Sequence, residues 1–430
     1  MVNQQNKAWI VAVNMGYGHQ RTAFPLKELS ANSIINANDY KGIPNKDMAI
    51  WETSRGFYEF ISNIKRFPLI GNWIFSLFDK SQRILGYYPK RDLSNPNFGL
   101  KKVFSLINKG WGENLIKTLK GNPLPFISTF YIPAFMAERF NYPDPIYCVI
   151  CDADIARSWV PLNPKESRVK YFAPCSWVVD RLKLYGIKAE NIYLTGYPLP
   201  KENIGQNLEI VKEDLAYRLL NLDPRKKYYG MYHPVIEDYI GDLPEKPDHP
   251  LTIMFSIGGA GAQKEMAIKI AKSLEEKIKT KKLKLIFSAG TKIEVKNYLL
   301  ENIEKIDLEE EIGNGVEIIF NENIKDYFIE FNRKLRKTDI LWTKPSELSF
   351  YAGLGLPIII APSIGSQEDF NKRWLLHIGA GFPQGNPKYT EQWIFDLLEG
   401  GSLAEGAMQG FVEIEKMGAY NIEKIVSDNK

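Results

Sequence analysis

Two side chains that can exchange protons, a histidine and an aspartate, lie in turns that follow apolar, strand-like runs. His19 follows a glycine turn after the apolar run of residues 8–13, and a neutral imidazole near pH 7 can accept a proton from a hydroxyl. Asp152 directly follows the apolar run of residues 146–151 and therefore lies at the end of a second predicted strand. Each also has an ordinary interpretation, because tight turns carry incidental histidines and an aspartate after a strand often makes an Asx turn or caps a helix.

A second glycine turn has the form of a phosphate cradle. It follows the apolar run of residues 251–257 and precedes a helical pattern, so glycine flexibility, backbone N–H groups and the helix dipole meet at one point. No Gly-Lys-Ser/Thr follows, so it is not a Walker A loop, and it is not a complete dinucleotide fingerprint. The candidate phosphate-binding residues of this turn are Gly258, Gly259, Gly261, Ala262 and Gln263.

Residues 339–376 alternate strand, turn, helix, strand, turn and helix, a βαβα unit with both turns at strand ends. Ligands bind at that edge of open α/β sheets. Taken singly, each turn is better explained by helix capping, with Thr343 or Ser346 as the cap of one helix and Ser366 with Asp369 as a capping box on the next. Two polar turns in one unit instead favour a binding site, and its candidate residues are Ser346, Glu347, Gln367, Glu368 and Asn371.

The apolar runs that position these turns alternate with helical patterns along the whole chain. This alternation predicts an α/β protein, and 430 residues favour two domains, each Rossmann-like and doubly wound. We predict a first domain at residues 1–200, a linker and lead-in at 201–250, a second domain at 251–403 and a terminal helical segment at 404–430.

Composition narrows the functional classes. The net charge of +4 is small for this length and gives no support for a nucleic-acid binder. Cys148-x-x-Cys151 has no second pair, so we expect reduced thiols at Cys148, Cys151 and Cys175 and no metal site. The sequence shows neither a signal-peptide pattern nor an uninterrupted membrane-spanning run, which predicts a cytoplasmic protein that can touch the membrane surface.

Residues 55–120 interleave aromatic and basic side chains, with few acidic ones between them. An interfacial contact with anionic membrane has this composition, because cations meet the lipid headgroups while rings lie at the boundary. A helical core layer with a solvated basic face accounts for it equally well. No fold-level motif supports the third reading, single-stranded nucleic acid.

Three motifs, in this order along the chain, resemble those of GT-B glycosyltransferases of the MurG and monogalactosyldiacylglycerol synthase group. They are Thr195-Gly196-Tyr197-Pro198, Gly355-Leu356-Pro357 and Gln367-Glu368-Asp369-Phe370-Asn371. The resemblance implies two Rossmann-like domains facing a central cleft, with the terminal helix crossing back to the first. The turn Lys344-Pro345-Ser346-Glu347 departs from the family pattern of two glycines and a threonine, which puts the ribose-binding role of Glu347 in doubt.

The resemblance also implies roles. The donor is a UDP-sugar, held by the glycine turn and by the polar residues of the βαβα unit, with Phe320 and Ile324 near the uracil. The acceptor is a hydroxyl, expected to be lipid-linked, which faces Gly16, Gly18 and Trp159. His19 is implied as the base, and Asp152 is a second candidate base or an orienting partner for His19. Transfer would invert the anomeric carbon without a metal or a further cofactor.

Two other functions remain open from the sequence. A nucleotide-sugar epimerase or hydrolase on the same double fold would act on the donor alone and would not need residues 55–120. A nucleotide-sugar-binding protein at the membrane surface that has lost turnover would explain the unusual Lys344-Pro345-Ser346-Glu347 turn.

Overall fold

The computed structural model describes residues 7–53, 84–258, 261, 263–363 and 366–428. The chain forms two compact units. The first comprises Met1–Pro198, Ile364–Asn371 and Met417–Lys430, and the second comprises Leu199–Ser363 and Lys372–Lys416. Residues 55–83 of the aromatic and basic segment predicted at residues 55–120 lie outside the described residues, and residues 84–120 are described.

Within the described residues, the first unit contains a six-stranded parallel sheet in the order β2-β1-β3-β4-β5-β6. Its strands are mostly buried runs of aliphatic and aromatic side chains, as expected of a parallel sheet covered by helices on both faces. The strands are β1 Trp9–Ala12, β2 Ile35–Asn36, β3 Phe126–Ser128, β4 Ile146–Val149, β5 Lys170–Ala173 and β6 Ile192–Leu194. The α-helices are Tyr17–Ala23, Phe98–Asn108, Glu113–Lys120, Tyr131–Arg139, Ser176–Leu184 and Gly418–Asp428.

The core of the first unit includes the last helix of the described chain. Ala419, Ile422 and Val426 are buried in one cluster with strand residues such as Ile10 and Ile127. Gly418 permits this approach, because a Cβ at this position would lie 2.2 Å from the carbonyl oxygen of Tyr197. The terminal helix is therefore part of the hydrophobic core of this unit.

The second unit repeats the architecture with a sheet that, among the described residues, has six parallel strands in the order β12-β11-β10-β7-β8-β9. The strands are β7 Leu251–Ser256, β8 Leu283–Gly290, β9 Val316–Phe320, β10 Ile340–Thr343, β11 Ile358–Ile360 and β12 Gly381–Pro383. The α-helices are Glu209–Leu222, Lys227–Ile240, Lys264–Ser273, Glu275–Lys279, Ile293–Glu304, Ile324–Leu335, Thr390–Gly400 and Ser402–Glu413. The helix Ser366–His377 has its residues up to Asn371 in the first unit and the rest in the second.

Both sheets confirm the predicted α/β fold of two doubly wound units. Residues 201–250 differ from the predicted linker, because they contain the helices Glu209–Leu222 and Lys227–Ile240. The second of these is bent at Tyr232 and contains Pro234, whose ring interrupts the helical hydrogen bonds and masks the periodic pattern in the sequence.

Each sheet has one point where strand order reverses. In the first unit this topological switch point lies between β1 and β3, and in the second it lies between β7 and β10. Ligands of open α/β sheets bind outside the carboxyl ends of the strands at such points. The loops after these four strands are therefore the candidate ligand-binding sites.

A buried arginine fixes the surroundings of β10. Arg218, on the helix Glu209–Leu222, donates to the carbonyl oxygens of Thr338 and Leu354 at 2.7 Å each. It also reaches the carbonyl oxygen of Leu335 at 3.3 Å. These acceptors lie just before β10 and at the end of the 3₁₀ helix Glu347–Leu354, so one side chain holds both flanks of the strand and its turn.

A buried aspartate adds a second anchor just before β10. Asp339 accepts from the backbone N–H of Thr252 at 2.7 Å and from Asn221 Nδ2 at 3.0 Å. Its other oxygen lies 3.2 Å from Nε2 of His249. Burial opposes protonation of His249, but its hydrogen bonds to Asp339 and Asp248 and their charges outweigh burial and raise its pKa above the usual 6.5.

Candidate functional site

The first candidate site forms where β1 and β3 end. Gly16 has φ 92°, in the left-handed region that glycine adopts readily, and it starts the helix Tyr17–Ala23 that carries His19. His19 Nδ1 donates to the carbonyl oxygen of Thr129 at 2.8 Å, and Thr129 Oγ1 donates to the carbonyl oxygen of His19 at 2.9 Å. At the switch point of the first sheet, two reciprocal hydrogen bonds thus join the segments that follow β1 and β3.

These contacts define the chemistry of His19. A carbonyl oxygen only accepts, so in the neutral ring Nδ1 carries the proton and Nε2 is left as the acceptor. Burial lowers the pKa of His19 to about 4, and the hydrogen bond to Thr129 only partly offsets this. The ring lies 4.7 Å from the ring of Phe130 and 6.2 Å from that of Trp159, centroid to centroid. His19 is therefore a neutral base in an aromatic surrounding at neutral pH.

Asp152 lies beside the histidine at the end of β4. The sulfur of Cys151 is 3.6 Å from His19 Nδ1 and 3.8 Å from Asp152 Oδ2, so one thiol touches both candidate bases. Asp152 Oδ1 accepts from Asn371 Nδ2 at 2.9 Å, and Asn371 Oδ1 accepts from the backbone N–H of Ala153 at 2.7 Å. The structure thus brings His19, Asp152, Trp159 and Asn371 of the first unit together.

The contacts of Asn371 differ from the nucleotide contact predicted for it. The resemblance places Asn371 on the nucleotide, whereas its fully buried side chain uses both ends of its amide on the Asp152 loop. This partner escaped sequence reasoning because the two residues are 219 positions apart. Gln367 and Glu368, on the same helix, are half-buried and remain predictions as nucleotide ligands.

Asp154, two residues further on, has a different task. Arg181 Nε and Nη2 each lie 2.8 Å from one of its carboxylate oxygens, and both side chains are almost completely buried. Burial raises the pKa of Asp154, although the bonds and charge of Arg181 counteract it. Asp152 is therefore the candidate base, whereas Asp154 belongs to a structural ion pair.

The second candidate site forms at the switch point between β7 and β10. Gly258 and Gly261 have φ of +73° and +68°, and the N–H of Gly261 donates to the carbonyl oxygen of Gly258 at 3.1 Å. These glycines make the tight turn that the sequence predicts, ahead of the helix Lys264–Ser273. Gly259 and Ala262 of the predicted cradle lie outside the described residues.

The turn after β10 lies on the other side of this switch point. Glu347 is 9 % exposed and opens a 3₁₀ helix, Glu347–Leu354, where the sequence pattern predicts an ordinary helix. Ser346 occupies the cap position without a side-chain cap hydrogen bond, so the capping interpretation of this serine is wrong. The side chain that sequence reasoning missed here is Lys344, whose stem lies against Gly258.

Phe320 and Ile324 lie at the end of β9 and at the start of the helix Ile324–Leu335. Both are half-buried, and the ammonium of Lys296 lies 5.1 Å from the centroid of the Phe320 ring. Their place at a strand end agrees with a position near a base, and that role stays a prediction.

Metal-ligand clusters and membrane-spanning helices were both sought among the described residues. No group of three His, Cys, Asp or Glu side chains there is arranged to hold a metal ion. Across the same described ranges, no helix has both the length and the apolar character needed to cross a bilayer.

Each of the two units is a doubly wound α/β sheet with a candidate site at its switch point. Solved structures to which the chain is similar include MurG from Acinetobacter baumannii, at 14% identity over 98% of this chain and 99% of that one, with a TM-score of 0.48. The MnaA–UDP co-structure from S. aureus is 14% identical over 98% and 95% of the two chains, with a TM-score of 0.46. A glycosyltransferase from Rickettsia africae is 15% identical over 98% of each chain, with a TM-score of 0.42.

In sequence, residues 244–314 match a family described as a domain of unknown function, DUF6938. A search of curated proteins found no match.

Proposed function

We propose that this protein is a glycosyltransferase that moves a sugar from a UDP-sugar to the hydroxyl of an acceptor, with inversion. The observation that carries the proposal is His19: a half-buried imidazole, neutral at pH 7, whose Nδ1 is committed to Thr129 and whose Nε2 is an acceptor at the switch point of its sheet. A glycine turn at the switch point of the second sheet supports a diphosphate-bearing donor.

The proposed reaction is a direct displacement at the anomeric carbon. The acceptor oxygen bonds to the anomeric carbon while its proton passes to His19 Nε2, and the bond from that carbon to the diphosphate oxygen breaks. The electron pair of the broken bond stays on the diphosphate, which leaves as UDP. Asp152, held by Asn371, orients the site or is itself the base.

Incubation of the purified protein with UDP-sugars, with and without a lipid extract, followed by mass spectrometry, tests this reaction. A glycosylated acceptor together with UDP is the expected result. UDP and free sugar without any acceptor would indicate a hydrolase, and a changed nucleotide sugar would indicate an epimerase. Absence of turnover with tight UDP binding would leave the binding-protein alternative.

Two variants assign the base. His19→Ala should lower turnover by about 100-fold or more while nucleotide affinity is kept, because proton transfer is lost and binding is not. Near-normal turnover in His19→Ala, together with loss of turnover in Asp152→Asn, would assign the base to Asp152 instead.

We further propose that the acceptor is reached at an anionic membrane. Support comes from Tyr88 and Phe98, which are 77% and 81% exposed, beside exposed Lys90, Arg91 and Lys101. Trp111, in contrast, is buried in the core, so the aromatic side chains of this segment serve two purposes.

Sedimentation with liposomes that contain anionic lipid tests the membrane contact. Each basic residue near such a surface contributes about 1 kcal/mol, and screening acts within a Debye length of about 10 Å, so binding should fall steeply with salt. The double variant Tyr88→Ser and Phe98→Ser should weaken it further. Sedimentation that ignores both salt and anionic lipid would refute the contact.

A further inference from the structure

Lys344 stands at the switch point of the second sheet, although no family motif draws attention to it. It directly follows β10, which pairs with β7 in the register Leu341↔Met254 and Trp342↔Phe255. The residues that follow the two strands are therefore neighbours, with Gly258 on one side and Lys344 on the other. This is the crevice in which an open α/β sheet holds its ligand.

The lysine stem lies across the glycine turn. A Cβ placed on Gly258 would be 3.6 Å from Cε and 3.9 Å from Cδ of Lys344, so the methylenes of the lysine lie next to this glycine. The ammonium group follows Cε directly, which puts its positive charge beside the turn. Backbone N–H groups in a turn of left-handed glycines attract anions, and a lysine is a strong point charge for phosphate.

We propose that Lys344 recognises the diphosphate of the nucleotide donor. This inference rests on the proposed function and names the part of the donor that this site holds. When the bond between the sugar and the diphosphate breaks, the electron pair remains on a phosphate oxygen, and the fixed ammonium stabilises that growing negative charge. Lys344 gives up no proton in this step. Its place in a turn that departs from the resembled family makes it a specific feature of this chain.

Calorimetric titration with uridine, UMP and UDP tests the assignment. The wild-type protein should gain affinity with each added phosphate. Lys344→Gln should lose about 10-fold or more in UDP affinity, because one charge-assisted hydrogen bond disappears, while uridine affinity is unchanged. Lys344→Arg keeps the charge and should recover part of the loss.

Lys282→Gln is the matched control. It removes the same charge from an exposed lysine just before β8, at the amino-terminal ends of the strands of the same sheet. This variant should bind UDP like the wild type. Thermal melting of each variant, followed by circular dichroism, separates a local loss from unfolding. Equal UDP affinity in wild type and folded Lys344→Gln would overturn the assignment, as would a wild type that binds no diphosphate.

The design also separates this inference from the proposed function. If the wild type binds ADP and GDP as well as UDP, and Lys344→Gln weakens all three, the diphosphate role of Lys344 is supported while the uridine donor is refuted. If UDP is preferred but Lys344→Gln binds it normally, the donor proposal survives and the role of Lys344 does not.

Discussion

The lowered pKa of His19 makes the stability of the first unit depend on pH. In the folded protein its pKa is about 4, whereas the unfolded chain keeps the ordinary value of 6.5. A group with a depressed pKa binds its proton more readily when the chain unfolds, so acid favours unfolding between these two values. The gap of about 2.5 pH units, at about 1.4 kcal/mol each, gives a loss of about 3 kcal/mol when it is complete.

Comparison of wild type with His19→Gln isolates this effect. Glutamine retains an N–H that can reach the Thr129 carbonyl but does not titrate. At about pH 7.5 the variant should be less stable by about 1 kcal/mol, since packing and one hydrogen bond are disturbed. By about pH 4.5 the wild type has lost about 2.5 kcal/mol that the variant keeps, so the order of stability should reverse.

Urea unfolding followed by tryptophan fluorescence provides the measurement, with both proteins studied at each pH. Taking the difference between the two proteins removes the contributions of other titrating groups. His233→Gln, on an exposed stretch of helix in the second unit, controls for the loss of an imidazole as such. A constant difference between wild type and His19→Gln from about pH 7.5 to 4.5 would refute the lowered pKa of this imidazole.

Three further predictions concern the groups that hold the two sites. Asn371→Ala should lower turnover and shift its pH profile while UDP affinity is kept, because Asp152 loses the donor that fixes its carboxylate; an unchanged pH profile would reduce Asn371 to a packing role. The raised pKa of His249 means that its protonated form stabilises the fold fully below about pH 6.5 and loses this effect as pH rises through the folded pKa. His249→Gln should accordingly destabilise the second unit more at about pH 6 than at pH 9 in urea titrations, and the opposite trend would contradict the Asp339 contact. Arg218→Met should lower the free energy of unfolding by about 3 kcal/mol or more, since it strands buried carbonyl groups, and a thermal melt like that of wild type would show that they find other partners.

The strands and glycine turns could be predicted because their signals are local. Runs such as residues 146–151 and 251–257 are apolar throughout, as strands buried on both faces must be, and each ends in a turn with glycine or aspartate. The order of strands in the sheets is not local, and it is this order that sets Lys344 beside Gly258. In the sequence the lysine is only a departure from a family pattern.

Two further residues could not be predicted for the same reason, because their contacts are distant in the sequence. Arg218 lies in a stretch rich in charge, proline and glycine, where nothing marks it as the side chain that holds carbonyl groups more than a hundred positions away. Cys151 resembles an inert core thiol in sequence, and its contacts with His19 and Asp152 arise only when β1 and β4 lie in one sheet. Chemistry that depends on packing between distant segments cannot be read from spacing.

The position of the terminal helix has a consequence for how the molecule is made. Ala419, Ile422 and Val426 complete the hydrophobic core around β1, yet a ribosome adds them after every strand of both sheets. The first unit to be synthesised is thus the last to be finished, and its apolar surface stays open to chaperones or to other chains until this helix has been made. A chain released before residue 418 would carry every residue of the proposed catalytic site and still lack the helix that closes the core beneath it.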